Sequence, residues 1–375
     1  MLIIDMHLDL AMNAINWRRN LEQSVYDIRK HEKDAGLKEP GRGRGTVAFP
    51  EMRKGEVAVS SATVIARIAR PNNPLDGYPT QEIAYAVAQG QLAYYRVLES
   101  QGKVRIVKDW ETLTAHIREW ENRNCGKPEN NDPPLGFIIS MEGADPIVSP
   151  EQVESWRDDG LRIVSLSHYG VSTYAHGTGT AGGLTDRGPA LLRALDTAGM
   201  ILDLTHTVDR SFFEALEYFN GPVLASHNNC RALCPGDRQF SNEQIKTLID
   251  RGGVIGAALD AWMIVPNWKK SVTENIVCSL EDYVNHIDHI CQLAGDTRHA
   301  AIGTDLDGGY GQEQTPHDLQ TIADLQMIPD LLRRHGYSEE DVQGIMHGNW
   351  LRLFMEAWGR DSKDAEQTNH RSRDL

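Results

Sequence analysis

Eight short apolar runs punctuate this chain, at 2–7, 57–66, 136–141, 162–167, 200–205, 222–226, 253–259 and 299–304. Most are separated by stretches with helical periodicity, among them 80–99, 150–158, 188–198, 209–219, 241–251 and 279–294. Strands alternating with helices of this kind build a parallel sheet, because each crossover must carry the chain back to the same end. Eight such units favour an α/β fold of the (β/α)8 TIM-type barrel over an open doubly wound sheet. Two more helical stretches, 316–335 and 338–358, are expected to pack as extra C-terminal helices. Residues 1–358 thus read as a single domain, and 359–375 as a polar, flexible tail without periodicity. The Gly-rich stretch 33–55 and the Pro/Asn-rich stretch 124–135 read as loops.

The apolar runs end in residues that bind metals. His7 and Asp9 close the first run, Glu142 the third, and His168 the fourth. His206 closes the fifth, His227 the sixth and Asp305 the last. A barrel brings its strand ends to one face, so these side chains would share one pocket. Nitrogen and oxygen donors together suit zinc or a similar divalent ion.

Each residue has a chemical reason to be there. His7 and Asp9 are two apart, so on a strand both reach the same side. His206 and His227 each follow an apolar run and a small hydroxyl residue, Thr205 and Ser226. The bland alternative for either histidine is a hydrogen-bonded core residue. Their recurrence at successive strand ends favours ligands. Glu142 has two oxygens and can join two cations, with His7 and Asp9 on one side and His206 and His227 on the other. Two ions held this way share a water or hydroxide that is nucleophilic near neutral pH. Asp305 is placed to take the proton of that water and pass it to a leaving amine. Asp307, two residues on, competes for the role. His168 is surplus to the five ligands and suits contact with a substrate carbonyl and its oxyanion. Asp203 is three residues before His206, which on a regular strand puts it on the opposite face, so supporting that histidine would need a bend.

Composition narrows the function. The net charge of −15 argues against nucleic acid and anionic membranes as partners. No run approaches the ~18 apolar residues of a membrane span. The N-terminus enters the first strand without a basic leader, and five scattered cysteines (Cys125, Cys230, Cys234, Cys278, Cys291) form no disulfide framework. A cytoplasmic protein is the expectation.

The motifs D-M-H-L-D at 5–9, D-L-T-H at 203–206, A-S-H-N-N-C-R-A-L at 225–233, G-T-D-L-D-G at 303–308 and G-N-W-L-R-L-F at 348–354 resemble the membrane (renal) dipeptidase family of the amidohydrolase superfamily. The resemblance spans nearly the whole chain. It implies a distorted (β/α)8 barrel with two Zn2+ per chain, bridged by Glu142 and a hydroxide. One ion falls on His7, Asp9 and Glu142, the other on Glu142, His206 and His227. It also implies a carbonyl contact by His168, proton transfer by Asp305, and a substrate-carboxylate clamp on Arg238, eleven residues after His227. Arg231 is the rival for that clamp and reads as structural. The implied activity is hydrolysis of small dipeptides, with a D-residue at the C-terminal position accepted by many members. Expected partners are therefore a small-molecule substrate, with a homodimer left open. The chain departs from the family at Ala144 and Asp145, where Gly-His is usual after the first glycine, and in the segment after His168. Rival readings are another amidohydrolase reaction, such as deacylation of an N-acyl amino acid, a phosphoesterase, for which H-x-H is usual at the first strand, and a non-catalytic metal- or peptide-binding barrel.

Overall fold

The computed structural model describes residues 1–71, 73, 75–123 and 133–359. Nine strands make one parallel sheet: β1 (Ile3–Leu8), β2 (Val57–Val64), β3 (Val104–Ile106), β4 (Leu135–Met141), β5 (Leu161–Ser165), β6 (Ile201–Asp203), β7 (Val223–Ala225), β8 (Val254–Ala257) and β9 (Ala300–Ile302). The order is β1-β2-β4-β5-β6-β7-β8-β9, with β3 against β4. All eight expected strands are present. The ninth, β3, has three residues, too few to show a pattern. It pairs with 135–137 of β4, below the point where β5 takes over at Ile139.

The barrel is nearly closed. Leu8 bridges to Leu306, and the Asp305 amide donates to the His7 carbonyl at 3.2 Å. A buried carboxylate clips the same seam. Asp5 accepts from the Thr304 amide at 2.8 Å and from its hydroxyl at 2.6 Å. Burial pushes the Asp5 pKa up to about 6, against the pull of these donors.

Every residue of β1, β2 and β4 is buried, as expected of strands covered on both faces. The covering helices carry an apolar stripe. In Gln81–Ser100 the buried positions Ala84, Ala88, Leu92 and Tyr95 recur at helical spacing. Side chains satisfy the free amides at the helix starts: Ser241 and Gln244 form a capping box, as do Ser279 and Asp282.

Three expectations change. The loop expected at 33–55 contains a helix, Phe49–Lys54, with Pro50 in its first turn, where the missing amide is no loss. The 316–335 helix is a 3-10 turn, Ile322–Met327, followed by Ile328–Arg334. The last helix divides into Glu339–Gln343, a π-turn at Gly344–Gly348, and 349–359. The 124–135 loop lies mostly outside the described residues, as does the polar tail beyond Gly359. No helix among the described residues is long and apolar enough to cross a membrane.

The C-terminal helix holds the last strand in place. Asn349 Nδ2 donates to the Thr297 and Ala300 carbonyls at 2.7 and 2.8 Å, and Trp350 Nε1 to the Ile302 carbonyl at 2.9 Å. Trp350 is fully buried. Trp350→Ala is therefore expected to destabilise the fold by about 3–5 kcal/mol in denaturant titration. Val97→Ala, at a half-exposed helix position, should change stability by no more than about 0.5 kcal/mol. Equal effects would show that the helix does not brace the barrel.

Candidate metal centre

The strand ends deliver their side chains into one buried mouth. His7 is still within β1, while Glu142 is the first residue beyond β4, its amide held by the Val64 carbonyl at 3.0 Å. His206 and Asp305 follow β6 and β9 in left-handed backbone, with φ of 66° and 59°. Such conformations cost energy in residues with a Cβ and concentrate at functional sites. Here they end the strand alternation and turn both side chains inward. Two glycines of G-T-D-L-D-G are required sterically. A Cβ on Gly303 would collide with the Ser226 carbonyl, and one on Gly308 with the Asp305 carboxylate.

One oxygen sits at the centre. Glu142 Oε1 is 3.2 Å from His206 Nε2, 3.3 Å from His227 Nε2, 3.6 Å from His168 Nε2 and 3.7 Å from His7 Nε2. His7 Nε2 is also 4.0 Å from Asp9 Oδ1 and 3.8 Å from Asp305 Oδ1. Donors at ~2.0–2.1 Å around a tetrahedral ion are themselves roughly 3.4 Å apart, so this spacing suits ions between the side chains. The donor sets overlap: Glu142 with His206 and His227, Glu142 with His7 and Asp9, and His7 with His227 and Asp305. His7 Nε2 and Asp9 Oδ1 are buried and find no hydrogen-bond partner among the described residues. Unpaired buried polar atoms are costly, and a cation would satisfy both.

The histidines are oriented from behind. Ser226 Oγ donates to Asp203 Oδ2 at 2.5 Å and lies 2.8 Å from His227 Nδ1. Because its proton is committed to the carboxylate, the hydroxyl accepts from Nδ1–H, which leaves the His227 Nε2 lone pair facing Glu142. Thr178 Oγ1 stands 3.1 Å from His206 Nδ1. Asp203 thus supports the neighbouring His227 through Ser226, where strand geometry alone had set it on the far face from His206. The strand ends at Asp203 itself, so alternation no longer governs the residues beyond it.

His168 is different in kind. Its Nδ1 is 2.6 Å from Arg67 Nη1. A guanidinium only donates, so Nδ1 accepts and the ring proton is on Nε2, directed at the centre. That makes Nε2 a hydrogen-bond donor and not a metal ligand. Burial, outweighing the pull of Glu142, lowers the His168 pKa to about 3 and keeps the ring neutral. Burial raises Asp9 and Asp305 well above the usual carboxylate range, reinforced by the charge of Glu142. Burial works the same way on Glu142, but the facing His168, His7, Arg67 and Arg238 hold it below its ordinary value.

The competing candidates separate cleanly. Asp305 lines the cavity, whereas Asp307 is spent on structure. It accepts from the Thr46 amide and hydroxyl at 2.7 and 2.8 Å and from Arg19 at 3.1 Å. Arg231 pairs with Asp209 at 2.6 Å, away from the centre. Arg238 is buried behind His227: Nη1 donates to Asn228 Oδ1 at 2.6 Å and Nη2 to the His227 carbonyl at 2.9 Å, while Nε has no partner among the described residues. It does not line the cavity. Cys230 and Cys234 are buried free thiols.

The cavity holds about 400 Å³ and contains residues missed in the sequence, notably Arg67, Tyr169, Asp260, Trp262 and Tyr310. Asp260 accepts from Trp262 Nε1 at 2.6 Å and from Gln314, and burial pushes its pKa up to about 7. Arg67 and Asp260 each follow an apolar run directly, so the strand-end rule that found the other residues would have found these too.

A profile of the membrane dipeptidase family, peptidase family M19, matches residues 1–368. The chain belongs to this family. Its members are metallopeptidases, in keeping with the donor clusters around Glu142. It is 25% identical to the dipeptidase aclJ of Aspergillus oryzae over 361 residues, 94% of this chain and 77% of that protein. It is 29% identical over 180 residues to an uncharacterised Klebsiella pneumoniae protein encoded in the pqqA 5′ region. That match takes in 48% of this chain and 63% of the relative. In fold it is similar to the metallopeptidase dipeptidase AC, with TM-score 0.77 at 21% identity over 96% of this chain and 99% of that one. It is also similar to a Rhodobacter sphaeroides metallopeptidase solved with a phosphinate mimic of L-Ala-D-Ala, with TM-score 0.75 at 20% identity and the same coverage.

If Ser226 sets the His227 tautomer, Ser226→Ala should weaken divalent-metal binding by about 10- to 100-fold in equilibrium dialysis. Unchanged affinity would show the Asp203–Ser226–His227 relay to be idle.

Proposed function

We propose that this family member is a binuclear zinc dipeptidase that cleaves the amide bond of small dipeptides, a C-terminal D-residue included. The observation that carries the reading is the position of Glu142 Oε1, within 3.2–3.7 Å of His206, His227 and His7 at once. One set, His7, Asp9 and Glu142, would hold one ion, and Glu142, His206 and His227 the other. Two bound zinc ions would polarise the scissile carbonyl and make a water acidic enough to attack it near neutral pH.

The chain's own residues do the rest. His168, with its proton on Nε2, donates to the carbonyl oxygen as negative charge develops there. Asp305 takes the proton of the attacking water and passes it to the departing amine, a role suited to a carboxylate that lines the cavity 3.8 Å from His7 Nε2. Arg238 draws the terminal carboxylate toward the Asp305 side of the centre. Its guanidinium is buried and does not line the cavity, so the role rests on the family resemblance and on a positive charge that Glu142 and Asp305 feel. Dependence on a free terminal carboxylate would confine the enzyme to short substrates. A cytoplasmic setting belongs to the same proposal, supported by four buried cysteines that remain free thiols.

Metal analysis should find close to two zinc equivalents per chain, and chelation should abolish dipeptide turnover, with recovery on adding zinc. A fully active metal-free protein would end the proposal. Asp305→Asn should remove turnover while metal content stays at the wild-type level. A rate within a few-fold of wild type would exclude the proton-transfer role. Arg238→Ala should raise KM for dipeptides far more than for their C-terminal amides. Equal changes would remove Arg238 from carboxylate binding.

A further inference from the structure

Arg67 is the one arginine that lines the central cavity among the described residues, and the mechanism proposed for the centre gives it no contact with substrate. Its setting is that of a recognition residue. Nε donates to the Asp76 carbonyl at 3.0 Å, and Nη1 to His168 Nδ1 at 2.6 Å. Its backbone is tied as well, the Tyr78 amide donating to the Arg67 carbonyl at 2.8 Å. Nη2 makes no hydrogen bond to any described residue. Two of the three guanidinium nitrogens are thus anchored, and the third is left for a ligand. A guanidinium held this way has already lost the rotamer freedom that binding would otherwise cost.

The segment carrying Arg67 is fastened by a buried carboxylate. Asp145 is buried and accepts from the Ile68 amide at 2.9 Å and from the Thr173 amide at 2.8 Å. It thereby staples the chain just after Arg67 to the loop beyond His168. Asp145, the loop after His168 and the segment of Arg67 therefore form one hydrogen-bonded unit that fixes the position of Arg67.

The two arginines near the centre are fastened to different histidines, Arg67 to the His168 ring and Arg238 to the His227 carbonyl. The carboxylates that Arg67 faces are Glu142, Asp9 and Asp145. Arg238 is felt by Glu142 and Asp305. His168 is the residue given to the scissile carbonyl, so Arg67, bonded to its ring, is assigned to the acyl side. Arg67 also lines a second cavity of about 440 Å³, with Met12, Asn16, Trp17, Ile65, Asp76 and Tyr78 among its neighbours there. That is ample room for a side chain, and Arg67 is the one cation in the lining among the described residues.

We propose that Arg67 is a specificity-determining residue that binds a carboxylate on the acyl-side residue of the substrate, so that the preferred substrates are dipeptides with an N-terminal acidic residue. This rests on the dipeptidase reading and adds the substrate class to it. A guanidinium pairs with a carboxylate through charge-assisted hydrogen bonds that the neutral isostere cannot match.

The test compares Glu-Ala with Gln-Ala, which differ only in that charge, and Ala-Glu with Ala-Gln as the control for position. Wild-type enzyme should favour Glu-Ala over Gln-Ala in kcat/KM by roughly ten- to hundred-fold, mostly through KM, with no comparable preference within the control pair. In Arg67→Gln the Glu-Ala to Gln-Ala ratio should fall to within about two-fold, and Arg67→Lys should retain part of it. The ratio is the readout because Arg67 also touches His168, so absolute rates of the variants will fall for both substrates together. A wild-type ratio near one, a ratio preserved in Arg67→Gln, or a preference confined to Ala-Glu would each overturn the inference while leaving the dipeptidase reading intact. Failure of the wild-type enzyme to cleave Glu-Ala, Gln-Ala or Ala-Ala would overturn both.

Discussion

Three carboxylates, Asp9, Glu142 and Asp305, are gathered in the buried mouth of this barrel, and the rest of the site answers the cost of keeping them there. Like charges out of water repel and lose hydration, which is why burial and mutual repulsion drive Asp9 and Asp305 far above the ordinary carboxylate range. Only Glu142 is held down, by the cations and histidines that surround it. A constellation of this kind is stable as a set only with positive charge between its members. The orphaned His7 Nε2 and Asp9 Oδ1 mark where that charge belongs.

Around this core the fold assigns protons by hydrogen bonding. Ser226, committed to Asp203, can only accept from His227 Nδ1, so the lone pair of His227 faces Glu142. Arg67 can only donate to His168 Nδ1, so the proton of His168 faces the centre. Two histidines in one barrel mouth thereby acquire opposite chemistry, one presenting a lone pair to the centre and the other a proton. Neither ring differs from the other in composition; the difference lies in what stands behind each.

The seam between the first and last strands carries a second burden. Asp5, two residues before His7, binds Thr304, one residue before Asp305. The contact that closes the barrel therefore also sets the distance between a proposed ligand and the proposed proton carrier. Tight packing at Gly303 against the Ser226 carbonyl brings the β7 end into the same arrangement. Stability and chemistry share these residues, so changes at the seam would be felt in both.

Much of this was legible from residue order. The eight runs that became barrel strands are apolar because strands covered on both faces must be, and His7, Asp9, Glu142, His168, His206, His227 and Asp305 stand where those runs stop. Residue types and periodicity suffice for that, since a parallel barrel sends every strand end to one face. The sequence could not separate Asp305 from Asp307, because both lie past the strand in left-handed backbone where alternation has lapsed, and Thr46 and Arg19 claim Asp307 from far away in the chain. Nor could it place Arg238 behind His227, or turn Asp203 toward Ser226. Those outcomes depend on hydrogen bonds between residues distant in sequence, and only the closed barrel brings such partners within reach.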